Sequence, residues 1–382
     1  MRILLFTGKG GVGKTTLAAA TGARLAAGGC KALVVSTDPA HSLADAFGVP
    51  LDGEPSEVDS SLFAAHVDTR RLVDRSWHEL RGQLRTVLAG AGLDALDAEE
   101  LTVLPGVDEL LALTEVARLA DTGPWEVVVV DCGPTAETLR LLALPEAVST
   151  YLNRMYPAEG GLGAEPPGEN RGPVGRLAAH LASLRRLLTD PDVASVRMVL
   201  TPERLVVAET RRTLTALALR GIHVDRIVAN RLVPQGRLGL GPAAHWLRTR
   251  RAEQDAVLAE LAASTPLTVD AVEHRAAEPV GTAALLELAA ELYTASDPLD
   301  RVHVSGPLLA VRAEGAGYVL TIAIPLTDAT DLDLVRVGDD LAVTVDGVRR
   351  LVALPVLLRR FTVVDAESDA TGLTLRFAPE RP

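Results

Sequence analysis

The sequence predicts a doubly wound α/β fold, a mostly parallel sheet, followed by a small all-β sandwich. Three observations predict it. Short apolar runs of strand length alternate with helical stretches over roughly the first 290 residues, the pattern of a parallel sheet covered on both faces. The first run leads straight into the glycine-rich stretch "GKGGVGKTT" from Gly8 to Thr16. Strand, glycine loop and helix in that order make a phosphate cradle. After about Ser296 the helical period stops and short alternating segments take over, as in a sandwich. The expected domains are residues 1–297 and 303–382.

Taken in order, "RILLFTG" reads as a buried strand, and "KTTLAAATGARLAAGG" as a helix stopped by Gly28-Gly29. "KALVVSTD" and "LFAAHVD" are the second and third strands. Helical stretches cover roughly 70–91 and 106–120. "WEVVVVDCGPT" is the clearest buried strand, and "ASVRMVLTP" and "VDRIVANRLVP" are two more, the latter two separated by "ERLVVAETRRTLTALALRG". Residues 157–173 are rich in Gly, Pro and Glu and predict a mobile surface loop. In the tail, "GYVLTIAIP", "DLAVTVDG", "RRLVALP", "FTVVDAE" and "GLTLRF" read as strands. Tyr318, Leu320, Ile322 and Ile324 share one face; Val319, Thr321 and Ala323 share the other.

Composition narrows the function. Hydrophobic residues make up 48% of the chain but aromatics only 3%, so the core must be aliphatic. A net charge of −12 argues against nucleic acid as a partner. Two cysteines, Cys30 and Cys132, form no zinc-type cluster and suit a reducing compartment. The opening residues lack signal-peptide features, and no run approaches the roughly 18 apolar residues of a spanning helix. A cytoplasmic protein that does not itself cross a membrane is expected.

The glycine stretch fits G-x-x-x-x-G-K-[ST] at Gly8, Gly13, Lys14 and Thr15. Gly8, Lys9, Gly10, Gly11, Val12, Gly13, Lys14, Thr15 and Thr16 should wrap a nucleotide's phosphates with backbone N–H groups and a helix N-terminus. Lys14 should reach the β- and γ-phosphates, and the Thr15 hydroxyl should ligate Mg²⁺. Lysine itself is informative. Of 38 basic residues only Lys9, Lys14 and Lys31 are lysine. Lysine is a compact point charge on a thin stem, where arginine is a planar fork. A chain that otherwise uses arginine has kept lysine twice in a tight loop, so Lys9 should touch phosphate as well. Asp38 ends an apolar strand and is placed to orient an attacking water; the lesser alternative is a cap for the next helix. Asp131 ends the four-valine strand, where an acidic residue holds Mg²⁺.

A lysine one residue into the loop, as in "GKGGVGKTT", resembles the deviant P-loop ATPases of the Min, partition and nitrogenase iron-protein types. "STDPAHSLADAFG" (Ser36 to Gly48) and "DCGPTAETLRLLALPE" (Asp131 to Glu146) resemble switches I and II of the arsenical-pump and tail-anchored-protein-targeting branch. "TPERLVVAETRR" and "ANR" add to the likeness, which covers residues 1–292. The resemblance implies a homodimeric ATPase using ATP and Mg²⁺, with Lys9 acting across the dimer on the partner's nucleotide. It implies that Asp38 positions water, that Thr15, Asp131 and Asp38 surround the metal, and that Glu203, Asn230 and Arg231 contact the nucleotide, Asn230 at the adenine. Hydrolysis would then drive capture and release of an unidentified client or membrane partner.

Departures bear on the substrate. Ala136-Glu137 stand where the targeting ATPases carry Gly-His, their zinc-binding CxxC is missing, and three methionines cannot line a Met-rich client groove. The cysteine cluster of the arsenite-activated pump enzymes is missing too. The alternatives are the motor subunit of an arsenite or anion export pump, and a nucleotide-switched chaperone with little turnover. The last eighty or so residues, with "DLDLVRVGDDLAV", resemble the α-crystallin domain of small heat-shock proteins. That implies a sandwich whose edges dock partners or brace an oligomer.

Overall fold

Every strand expected in the α/β part forms. The computed structural model describes residues 1–38, 40, 42–67, 107–133, 173–236, 240–263, 265, 267–294, 296–300, 309–315, 317–322, 332–338, 340–345, 348–369 and 372–379. The helix expected near 70–91, the loop at 157–172, and switch II from residue 134 onward lie outside them. The chain divides into two compact units, Met1–Ser195 with Pro279–Thr294, and Val196–Glu278 with Ala295–Pro382.

In the first unit the strands are β1 (Arg2–Thr7), β2 (Ala32–Ser36), β3 (Ser56–Asp59), β4 (Leu62–His66) and β5 (Val127–Asp131), in the order β3-β4-β2-β5-β1. All these pairs are parallel except β3 with β4. The helices are α1 (Lys14–Ala27), α2 (Ser42–Phe47), α3 (Val107–Thr122), α4 (Pro173–Thr189) and α7 (Thr282–Leu292). β2 and β5 are buried along their whole length, because helices cover both faces of a parallel sheet. α1 lies close to this sheet. A Cβ on Gly22 would meet Val34 Cγ2 at 2.2 Å, so only glycine fits there. Thr21 on α1 shares a buried 2.7 Å hydrogen bond with the Tyr293 hydroxyl.

The second unit holds β6 (Ala194–Leu200), β7 (Val224–Leu232) and β8 (Thr268–Glu273) in parallel order β6-β7-β8, with α5 (Arg204–Leu219) and α6 (Pro242–Ala263). Its sandwich has one sheet of β14 (Phe361–Asp369), β15 (Gly372–Pro379), β10 (Gly317–Ile322) and β9 (Leu309–Glu314). The other sheet is β11 (Leu332–Val337), β12 (Asp340–Val345) and β13 (Val348–Ala353). All their pairings are antiparallel. Leu320, Ile322, Leu341, Val343, Leu375 and Phe377 meet between the sheets, and Leu219 at the end of α5 joins the same core. Val319, on the face opposite Leu320, is also buried, at 1% exposure. It lies between Arg312 and Arg376 on the neighbouring strands, whose aliphatic stems can cover it.

The segment entering the sandwich is held by two buried arginines. Arg197 on β6 pairs with Asp225 and donates to the Pro298 carbonyl. Arg226 on β7 pairs with Asp270 at 2.8 Å and donates to the Ser296 hydroxyl at 2.8 Å. Neither charge is left unpaired, as burial requires.

Candidate functional site

Register assembles the site in the first unit. Phe6 on β1 and Ser36 on β2 both lie opposite Asp131 on β5. The ends of three parallel strands therefore come level, at the carboxyl edge where open α/β sheets bind ligands. From β1 the chain turns through Gly8 (φ 152°), Gly11 (φ 79°) and Gly13 (φ 95°) into α1. These left-handed conformations suit glycine and strain other residues. Gly13 caps α1 with no side-chain hydrogen bond, and the first turn has no acidic residue. The helix thus turns a bare N-terminus and its partial positive charge toward the loop.

The two lysines of the loop are placed differently. Lys14 is 5% exposed, and its Nζ donates to the Lys9 carbonyl at 3.4 Å across the loop. The Lys9 side chain is exposed. The third lysine, Lys31, is bound up in structure: its ammonium sits 5.2 Å from the Phe63 ring and 5.7 Å from the Trp125 ring, a cation–π arrangement.

Hydroxyls and carboxylates face one another beside the loop. Asp131 is fully buried, and its Oδ2 accepts from the Ser36 hydroxyl at 3.0 Å. Its Oδ1 closes no hydrogen bond. Burial pushes this carboxyl up to about 6, against the pull of the Thr15 and Ser36 hydroxyls and the Lys14 charge. The Thr15 hydroxyl lies 3.0 Å from that of Ser42, the first residue of α2. Asp38 is half-buried. Its N–H donates to Ser36 Oγ at 3.3 Å, and its Oδ1 accepts from the Ala40 N–H at 3.0 Å. It closes a turn two residues on and does not cap α2. Ser36 and Ser42, not singled out by sequence reasoning, are thus part of the site. Their signal was slight: one is the last, polar residue of an apolar run, and the other opens a short helix.

This donor set fits Mg²⁺. A buried carboxylate oxygen without a partner, beside hydroxyls, offers the hard oxygen environment the ion prefers. The buried charge also has a consequence for stability. A carboxyl with a raised value stabilises the fold fully only below the ordinary aspartate value, about 3.9, and that contribution is lost as pH rises through about 6. Asp131→Asn should therefore raise the thermal midpoint of the ligand-free protein by several degrees above pH 6, but not below pH 4. Thermal melts across that range check it. An unchanged or lowered midpoint at high pH would show that the carboxylate is already satisfied.

The other three expected residues belong to the second unit, at the carboxyl ends of β6 and β7. Glu203 caps α5 with extended backbone, and its carboxylate pairs with Arg250 of α6 at 2.9 Å. Asn230 Oδ1 accepts from the Arg231 N–H at 2.9 Å. Arg231 has φ 62°, in the left-handed region.

A strand, a glycine loop with its lysine, a helix, and an acidic residue ending a parallel neighbour strand define a P-loop nucleoside-triphosphatase. The profile of the anion-transporting ATPase family matches residues 1–294, and that of the HSP20-like domain found in ArsA matches residues 315–377. The chain belongs to the anion-transporting ATPase family and is an ATP hydrolase. It is 39% identical over 413 residues to protein Rv2184c of Mycobacterium tuberculosis, covering 99% of this chain and 96% of that one. It is 33% identical over 398 residues to the "Putative arsenical pump-driving ATPase" of Prosthecochloris vibrioformis, covering 100% and 97%. A protein of the same printed name in Chlorobaculum tepidum matches with the same identity and coverage. Among the described residues no helix is long and apolar enough to cross a membrane.

Proposed function

We propose that the protein is a Mg²⁺-dependent ATPase that closes as a homodimer around ATP and uses hydrolysis to switch its hold on a client or partner protein. The observation that carries this is the register that sets Ser36, Asp131 and the start of the glycine loop level at one sheet edge. Backbone N–H groups from Gly10 to Thr16 would take the phosphate oxygens. Lys14, already inside the loop, would exchange its bond to the Lys9 carbonyl for the β- and γ-phosphates. Thr15 and Asp131 would hold Mg²⁺, with Ser36 orienting the Asp131 carboxylate and Asp38 beside them. When bound, the ion would neutralise charge on the phosphates. Asp38 would turn its carboxylate from the Ala40 N–H toward the attacking water and hold it in line. Lys9, exposed at the rim, would meet the nucleotide of the second copy. Glu203, Asn230 and Arg231 would border the adenosine. The domain boundary of this reading falls between 297 and 303. The sandwich would serve as the docking or bracing module.

The printed names of two relatives favour a second reading, the motor of an arsenical pump. Metalloid activation needs converging thiolates. Cys30 precedes β2 and Cys132 follows β5, so the two thiols stand at opposite ends of paired strands, about 20 Å apart at the rise of a strand. Burial also pushes the Cys132 thiol far up, which keeps it protonated and unreactive. Arsenite should leave the ATPase rate unchanged within about twofold, the scatter of a modest effect. A dose-dependent rise that disappears in Cys30→Ser/Cys132→Ser would establish the pump reading instead.

A further inference from the structure

We infer that Ser42 is a positioning residue for the metal: its hydroxyl donates to that of Thr15 and fixes the direction of the Thr15 oxygen, so that the stretch carrying Asp38 is tied to a metal-holding group. The inference rests on the reading of Thr15 as a hydroxyl that holds Mg²⁺.

α2 is six residues long, too short to persist alone in water. Tertiary contacts within the first unit fix it. Leu43 and Phe47 are buried at 0% and 3% exposure, and the Ala46 carbonyl accepts from the Gly281 N–H at 2.9 Å. Ser42, the first residue of α2, therefore stands on an anchored element. Its partner stands on another. Thr15 lies in the first turn of α1, whose Lys14 and Leu17 are buried. The two hydroxyls meet at 3.0 Å although they are 27 residues apart in the chain.

A hydroxyl has one proton and two lone pairs. Burial raises the Asp131 carboxyl, and the Thr15 hydroxyl pulls the other way, so the two groups face each other. An ionised carboxylate only accepts. The Thr15 proton therefore turns toward Asp131, and Ser42 is the donor of the 3.0 Å bond. One lone pair of Thr15 takes that bond, and the other is left for a cation. With the Ser42 donor removed, the two lone pairs are equivalent and the hydroxyl loses its fixed direction. The same contact closes a ring. Ser36 bonds both the Asp131 carboxylate and the Asp38 N–H. The stretch from Asp38 to Ser42 is thus held at one end by the partner of Asp131 and at the other by Thr15. Both holds lead to groups assigned to the metal.

The test uses the full-length chain with ADP, so that no turnover enters. Mg²⁺ is titrated into the protein–ADP complex by calorimetry, and ADP binding is measured in parallel with Mg²⁺ chelated. Ser42→Ala should weaken Mg²⁺ binding about fivefold, the scale of one neutral hydrogen bond, and leave metal-free ADP affinity within about twofold. A merely structural role would weaken ADP with and without the metal alike, and that result overturns the inference. A double-mutant cycle shows the route. In a Thr15→Val background Ser42→Ala should cost nothing further, because the group it positions is gone. An undiminished loss there means that Ser42 acts by another route, which also overturns the inference. Thr15→Val alone separates the two readings. If it weakens Mg²⁺ binding while Ser42→Ala does not, the inference fails and the assignment of Thr15 stands. If Thr15→Val itself leaves Mg²⁺ binding unchanged, both fall. Alanine is a strong helix former, so α2 should survive the change. Should Ser42→Ala not fold, Ser42→Cys decides: its thiol is a much weaker donor and should reduce Mg²⁺ affinity about threefold, and an undiminished affinity overturns the inference.

Discussion

Lys9→Arg should abolish ATP turnover, by roughly a thousandfold or more, while ATP binding survives. The magnitude is that of misplacing a charge that would be delivered to a phosphoryl-transfer transition state from outside the subunit. The expectation has two roots. Lysine is rare in this chain, and of its three lysines one is spent on the Phe63 and Trp125 rings. The two in the loop are then the ones to be explained by phosphate. Lys14 is buried against its own loop, whereas the Lys9 side chain is exposed. An exposed ammonium on a phosphate loop is suited to a second nucleotide, and under the proposed dimer a planar fork in its place would be too broad to reach it. ATP binding should survive because Lys14 and the backbone of the loop are unchanged. Phosphate release and equilibrium nucleotide binding, measured on the same preparation, check both halves. Turnover at the normal rate would remove Lys9 from the chemistry.

Asp38→Asn should slow hydrolysis by at least about a hundredfold, the scale of losing a positioned proton acceptor. ATP affinity should hardly change if, as proposed, the residue acts on water. The substitution is conservative for the loop. An asparagine oxygen can still accept from the Ala40 N–H, and the Asp38 backbone bond to Ser36 remains. The loop should therefore keep its shape while the negative charge is gone. Single-turnover hydrolysis set beside ATP affinity is the check. Parallel losses in both would mean that Asp38 holds the loop or the metal.

The α/β part was legible where strands are buried on both faces. "LLF", "ALVV" and "VVVV" leave no other reading once glycine or a charge ends them. β3 and β8 escaped because they lie at the ends of their strand orders, β3 largely exposed and β8 with a single buried residue. "SEVD" and "TVDAVE" offer no apolar run to notice. β11 escaped for the opposite reason: its alternation is regular, but Asp333 and Arg336 break it up by eye. Arg197 is invisible as a core residue in sequence. An arginine inside "ASVRMVL" becomes tolerable only when Asp225 on the next strand and the Pro298 carbonyl meet it.

The candidate site divides in the same way. Glycines and lysines announce the phosphate loop because its backbone demands glycine whatever lies around it. Ser36 and Ser42 matter through register and through what faces them, Asp131 for the one and Thr15 for the other. No local pattern encodes that.

The most direct test of the central claim, a nucleotide site completed by a second copy of the chain, is to mix the two inactive variants. Lys9→Arg and Asp38→Asn subunits are combined in equal amounts, allowed to exchange, and assayed for phosphate release. If Lys9 acts across the dimer, the mixed dimer contains one intact site, built from Asp38 of one subunit and Lys9 of the other. Random exchange makes half the dimers mixed, each with one of two sites working, so about a quarter of wild-type activity should return. A mixture as inactive as its two components would contradict the account and place Lys9 and Asp38 in the service of the same subunit's nucleotide.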